Sequence, residues 1–319
     1  MRAVVIKRFG DPSGMVLDDL PEPTPGPREV LIEIEAIGVA GVDAVIRRGT
    51  LAGFGFEPGL VPGSEVAGRV TAAGAGAAPE LVGRRVWAFT GRGGGYAERA
   101  LASVDDLTVL PDGLSSRDAV AVGSAAPVAR LGLERAGLGP GQSVLVRGAA
   151  GSIGLSAVEL AVAAGASTVA VTTATASRGD RLRGFGATHV LDRSGNGVDA
   201  PEQFDIVLDL VGGPLMPDFI DRLAPNGRMV VLGVVAGLPP ADFGMRLLAA
   251  FQQSRSVATF SLDTVPRGRL AAVRRESFDQ VVEGRLSAVV HDVLPLAAAA
   301  AAHRAMDDGE VFGRIVLVP

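Results

Sequence analysis

Along the first hundred residues, apolar positions come in short runs rich in Val and Ile: Ala3–Lys7, Glu29–Val39, Glu65–Ala73 and Arg85–Ala88. Gly and Pro clusters separate them, most densely in Pro21-Glu22-Pro23-Thr24-Pro25-Gly26-Pro27. Within the second run Ile32 and Ile34 alternate with Glu33 and Glu35, the period of a half-exposed strand. The pattern predicts an antiparallel β domain. From Ser143 onward the rhythm becomes strand, small-residue turn, helix. Ser143–Arg147, Thr168–Thr172, His189–Leu191, Asp205–Asp209 and Arg228–Leu232 read as strands, and Gly154–Ala161 keeps a helical period between the first two. Strands spaced by helices predict a parallel, doubly wound sheet, with Ser256–Leu262 as its last strand. Two helical stretches follow, Arg267–Glu283 and the Ala-rich Leu296–Met306, and then a terminal strand, Gly313–Val318.

Composition narrows the class. A chain of 319 residues suggests two domains, and 48% hydrophobic with 20% charged residues is enough to bury real cores. The net charge of −5 and the lack of any long basic run argue against a nucleic-acid surface or a polybasic membrane patch. The chain has no Cys, which excludes disulfides, thiol nucleophiles, Cys-ligated zinc and iron–sulfur clusters. The start, Met1 to Arg8, meets charge before a signal-peptide apolar region is complete. Apolar stretches such as Met229–Pro240 are too short and too broken by Gly and Pro to span a bilayer. A soluble, cytoplasmic protein is expected.

The candidate chemistry centres on Val144-Leu145-Val146-Arg147-Gly148-Ala149-Ala150-Gly151-Ser152-Ile153-Gly154, which runs from strand through a small-residue turn into helix. Small residues there let the backbone approach a pyrophosphate, and free N–H groups at the helix start bind its charge. Ala150, Gly151, Ser152 and Ile153 are therefore the expected dinucleotide contacts. At the end of the next strand an NAD site places an acid for the ribose 2′-hydroxyl. Here Thr172, Thr173 and Arg178 come first, and no acid occurs until Asp180. Hydroxyls and a guanidinium suit a 2′-phosphate, so NADPH is the expected cofactor, with Arg193 as a second cation.

At this point the chain resembles the medium-chain dehydrogenase/reductase superfamily, and within it the zinc-free quinone oxidoreductase branch related to zeta-crystallin. Ala149–Gly154 is similar to that family's AAGGVG turn, and Gly38–Asp43 through Arg47-Arg48-Gly49 to its N-terminal segment. Pro62–Gly68, Gly83–Val86, Asp209–Gly213 and Phe312–Leu317 also fit. The resemblance implies an α/β fold: a Rossmann doubly wound parallel sheet plus a GroES-like antiparallel β-barrel catalytic domain. It implies residues 1–120 and 264–319 for the catalytic domain, 121–263 for the NADPH-binding domain, and an active site in the cleft between them. It adds Val211, Gly233 and Val234 to the cofactor contacts. Relatives pair two edge strands across a twofold axis, which implies a homodimer through Ser256–Leu262.

Departures from the family pattern shape the substrate pocket. Zinc-dependent relatives have Cys and His where this chain has Ala40 and Ser64. An Asn that binds the substrate carbonyl is also replaced by Ala40, a Tyr by Val45, and a Thr near the nicotinamide by Val128. Ala40, Val45, Ser64 and Val128 thus imply a small hydrophobic electron acceptor and no metal. The three histidines, His189, His291 and His303, are not spaced as a metal set and read as structural or surface residues. Asp43 and Tyr96 are the weak catalytic candidates, and a proton from solvent is an alternative to both. Asp43 reads first as a turn holder or a partner of Arg47, and Tyr96 as packing at a strand start. The expected activity is NADPH-dependent reduction of quinones or α,β-unsaturated carbonyls by hydride transfer. A catalytically weak NADPH-binding protein with a regulatory or structural role stays open beside it, because three polar handles are missing.

Overall fold

The computed structural model describes residues 1–319, which divide into two compact units, Met1–Ser124 with Pro266–Pro319, and Ala125–Val265. The first unit opens with the antiparallel pair β1 (Arg2–Ile6) and β2 (Met15–Asp19). It continues through β3 (Glu29–Val39), α1 (Gly41–Arg47), β4 (Glu65–Ala73), β5 (Arg85–Phe89), β6 (Arg99–Ser103), β7 (Leu107–Val109) and α2 (Ser116–Val122). The second unit runs α3 (Ala125–Ala136), β8 (Ser143–Arg147), α4 (Ser152–Ala163), β9 (Thr168–Thr172), α5 (Ala176–Gly184), β10 (His189–Leu191) and β11 (Phe204–Asp209). It ends with α6 (Met216–Asp221), β12 (Leu223–Val231), α7 (Met245–Ala249) and β13 (Ser256–Thr259). The chain then returns to the first unit in α8 (Arg267–Val282), β14 (Val290–Pro295), α9 (Ala299–Asp307) and β15 (Arg314–Val318).

The first unit's main sheet has the order β14-β15-β3-β4-β5-β7, with β6 paired to β3. Its pairings are antiparallel, as the sequence pattern predicts, with the single exception of β14–β15, which is parallel. The alternation in β3 works as its sequence predicts: Ile32 and Ile34 are buried while Glu33 and Glu35 face solvent. Beyond Ala36 both faces of β3 are covered, because α2 packs across it. Gly38 permits that approach, since a Cβ there would stand 2.9 Å from the Val120 carbonyl oxygen. The expected boundary at residue 120 falls inside α2. Because this helix packs on β3 and β4, the break lies after Ser124 instead, and the second crossing lies at Val265/Pro266.

The second unit's sheet is parallel throughout, in the order β10-β9-β8-β11-β12-β13. Leu145, Phe204, Val207, Phe219 and Met229 fill its core without exposure, each such side chain contributing about 1.5–3 kcal/mol. The last strand is shorter than expected, ending at Thr259 before the single turn Leu262–Thr264. No helix is long and apolar enough to cross a membrane.

Candidate functional site

Three glycines shape the turn between β8 and α4, each for a different reason. Gly148 takes φ +86°, and a Cβ on it would stand 2.8 Å from Val211 Cγ2. Gly154 lets the first turn of α4 close on the loop, since its Cβ would meet the Ala149 backbone at 2.5 Å. Gly151, the N-cap, is exposed, and a Cβ on it would meet nothing within 4 Å. The backbone there is open to an incoming group, with the unpaired amides of α4 behind it. Ala150, Ser152 and Ile153 are half-buried around the same turn. A pyrophosphate fits this cradle: the glycine that would contact it is open, and the two that pack are closed.

The loops beside the turn complete the rim. Gly213 N–H donates to the Gly237 carbonyl at 2.9 Å and Ala236 N–H to the Val211 carbonyl at 2.9 Å. Val211, Gly233 and Val234, all half-buried, therefore stand at the carboxyl ends of β11 and β12 next to the β8 turn. Such ends, where strand order reverses, are where open α/β sheets take ligands.

At the end of β9, Thr172 Oγ1 accepts from the Gly148 amide at 3.0 Å and is thereby used in the fold. Thr173 differs: it is buried, and its Oγ1 has no partner, an orphaned hydroxyl of the kind a ligand would satisfy. Thr175 caps α5, accepting from the Arg178 amide at 3.4 Å. The half-exposed Arg178 side chain sits in that helix's first turn. Arg193 is exposed just past β10, whose Leu191 is the register partner of Thr172. Thr172 and Thr173 thus stand at the end of β9, Arg178 in the first turn of α5 and Arg193 just past the neighbouring β10. No carboxylate occurs between Thr172 and Arg178, and Asp192, beside Arg193, holds its own turn by accepting from the Ser194 and Asn196 amides.

In the first unit, Asp43 and Tyr96 meet in the core. Asp43 is fully buried in α1, where its Oδ2 accepts from the Ala40 amide at 2.9 Å and from the Tyr96 hydroxyl at 3.2 Å. Burial pushes its carboxyl up from 3.8 to about 6, the Ala40 bond and Arg314 opposing. The expected Asp43–Arg47 pair does not form. Arg47 pairs instead with Asp307 of α9 at 2.6 Å, a contact 260 residues away in sequence. Tyr96 does not merely pack: its hydroxyl also lies 3.0 Å from His303 Nε2, and its ring stands where a Gly63 Cβ would be, 2.2 Å off. His303, expected to be structural or superficial, is wholly buried, and burial followed by Arg47 pulls it down to about 4, leaving it neutral. Asp43 Oδ1 and His303 Nδ1 are both without partners. Of the expected pocket residues, Ala40 caps α1, Val45 is buried within it, and Ser64 is half-buried beside Gly63. Val128 is half-buried on α3 in the second unit.

The reading from sequence also missed two ion pairs buried on both sides. Arg147 and Asp209 form a buried pair at 2.9 Å under the β8 turn. Arg314 and Glu65 form another at 3.0 Å, with Glu65 also accepting from Trp87 Nε1 at 2.8 Å and the Ser124 amide at 2.9 Å.

Residues 26–112 match the alcohol dehydrogenase GroES-like domain family, and residues 185–317 the zinc-binding dehydrogenase family. The chain is 30% identical to the quinone oxidoreductase of Sus scrofa over 315 residues, 95% of this chain and 93% of that one. It is 29% identical to the quinone oxidoreductase of Pseudomonas aeruginosa over 322 residues, 98% and 97% of the two chains. A mycobacterial protein solved in complex with NADPH superposes with a TM-score of 0.91 at 29% identity, covering 100% of both chains. Zinc does not fit the donors this chain offers: it has no Cys, and no group of three or more His, Asp and Glu is placed to hold a metal.

Proposed function

The chain belongs to the medium-chain dehydrogenase/reductase superfamily, in its quinone oxidoreductase branch, and from that premise we propose that it is an NADPH-dependent reductase of quinones or α,β-unsaturated carbonyls that works without a metal. The observation that carries the cofactor reading is the pairing of the open Gly151 cradle with an acid-free β9 end, where Thr173 keeps an orphaned hydroxyl and Arg178 follows. Bound NADPH would supply the hydride; the protein's part is to hold and orient. The turn amides and the α4 dipole take the pyrophosphate, and Thr173 with Arg178 takes the 2′-phosphate. Ala40 and Val45 bring no polar group to the substrate, so the acceptor must already be electrophilic. Quinones and enones meet that condition without a Lewis acid.

A second reading, an NADPH-binding protein with little turnover and a regulatory or structural role, is favoured by the same apolar Ala40 and Val45. One experiment separates them: NADPH consumption against a panel of quinones and enones, alongside cofactor titration. Turnover supports the reductase. Binding without turnover on any acceptor supports the second reading. We also propose that two chains pair through β13, an edge strand with Met245, Leu248 and Phe251 exposed in the segment leading to it.

A further inference from the structure

We propose that the buried Arg147–Asp209 pair is a positioning device for the dinucleotide, holding the Val211–Gly213 loop against the Gly148 turn so that the pyrophosphate seats at a fixed depth. The inference rests on the dinucleotide reading above. From β8 the chain moves outward through β9 to β10, then returns to β11 on the other side of β8 and moves outward through β12 to β13. Strand order therefore reverses between β8 and β11, and Arg147 and Asp209 are the last residues of those strands and register partners across the reversal. The ion pair spans the point at which the ligand crevice opens.

The bonds it makes fall on one glycine. Arg147 Nη1 donates to Asp209 Oδ2 at 2.9 Å and to the Gly212 carbonyl at 2.8 Å. Asp209 Oδ1 accepts from the Val211 amide at 2.9 Å and the Gly212 amide at 3.0 Å. Gly212 is thus gripped at both its N–H and its C=O. It needs the grip, because Gly212 and Gly213 are consecutive left-handed residues, φ +62° and +71°, with no side chain to pack. The Arg147 guanidinium is fixed in turn over the Phe219 ring at 4.3 Å. What the grip places is Val211 against Gly148, and through the Ala236–Val211 and Gly213–Gly237 bonds the 233–237 loop as well. Stability alone does not call for charges here. Desolvation offsets most of the attraction in a buried pair, and apolar side chains of like volume fill a core as well. Apolar side chains cannot, however, hold an amide and a carbonyl of the same residue.

The test compares a variant that keeps the grip with one that loses it. Arg147→Lys places one ammonium where a single nitrogen makes both bonds and leaves the Asp209 carboxylate to the two amides. It should bind NADPH and NADH within about threefold of wild type by isothermal titration. Arg147→Met/Asp209→Asn removes the charges together, keeps the volume and leaves the Gly212 carbonyl without its donor. It should melt close to wild type yet bind both cofactors about tenfold or more weaker, with NADPH KM raised and kcat at saturating cofactor retained. Wild-type affinity in that folded double variant overturns the proposal, and so does a loss confined to NADPH, which would place the effect at the 2′-phosphate. Hydrogen exchange of the wild-type protein gives a check that needs no variant: Val211 and Gly212 amides should be protected like strand amides, and free exchange overturns the grip. A wild type that binds neither nucleotide overturns the dinucleotide reading itself, and this proposal with it.

Discussion

Replacing Asp43 by Asn removes one of two buried titratable groups that share the Tyr96 hydroxyl, and should unmask the other. The Asp43 carboxyl is raised from 3.8 to about 6, first by burial. The folded protein therefore keeps a proton there that the unfolded chain has lost. The stability this contributes is complete below the unfolded value and disappears as pH rises through about 6. His303 behaves in the opposite sense. Burial, then Arg47, lowers it from 6.5 to about 4, so its contribution is present above 6.5 and is lost as pH falls through about 4. Over the shared window each group tilts stability by about 1.4 kcal/mol per pH unit, with opposite signs, and the two nearly cancel.

Asp43→Asn keeps an acceptor for the Ala40 amide and leaves only the histidine slope. Relative to wild type the variant should lose about 3 kcal/mol on going from pH 6 to pH 4, from two units at the slope above. His303→Gln leaves only the carboxyl slope and should gain a similar amount over the same range. The hydroxyl between them follows: with Asp43 ionised Tyr96 donates to it, and with Asp43 protonated Tyr96 is free to donate to His303 Nε2. The assay is denaturant unfolding of wild type and both variants across this window, read as the difference from wild type so that surface groups drop out. Two flat difference curves, or two of the same sign, would refute the reasoning.

Four further outcomes are expected. Arg178→Ala should weaken NADPH by about 10- to 150-fold and leave NADH nearly unchanged in paired titrations, the loss of one charge-assisted contact to the 2′-phosphate. Gly154→Ala should destabilise the second unit by about 1–3 kcal/mol in denaturant, because its Cβ meets Ala149 backbone at 2.5 Å; Gly151→Ala should leave stability unchanged while weakening both cofactors, since its methyl enters only open space. Light scattering at micromolar concentration should give a dimer mass, and a charge placed by Val257→Glu in β13 should shift it toward monomer. Exhaustive chelation should leave any reductase activity unchanged, and stoichiometric zinc by elemental analysis would overturn the metal-free reading.

What could be read without the structure follows the range over which each feature is determined. The Ser143–Ala163 strand, turn and helix lie in one continuous stretch, and the turn needs small residues for local reasons, so spacing alone locates it. The Ile32/Ile34 alternation likewise reports one face of one strand. The first unit's core cluster was hidden because its partners are remote: Tyr96 and His303 are 207 residues apart, and Arg47 finds Asp307 rather than the nearer Asp43. An i, i+4 spacing on α1 offers Arg47 an acid, but Asp43 is already committed to the Ala40 amide at the helix start, where its charge also meets the helix dipole. The Arg147–Asp209 pair is an intermediate case. Val144-Leu145-Val146-Arg147 and Ile206-Val207-Leu208-Asp209 each end an apolar run in a charge, and the two charges are opposite. Parallel strands that flank the reversal of a doubly wound sheet lie side by side, so their ends meet in register. An isolated charge there would carry a large desolvation cost, and two of opposite sign relieve each other. The pairing was therefore open to inference once strand order was assumed, although neither residue signals it within its own strand.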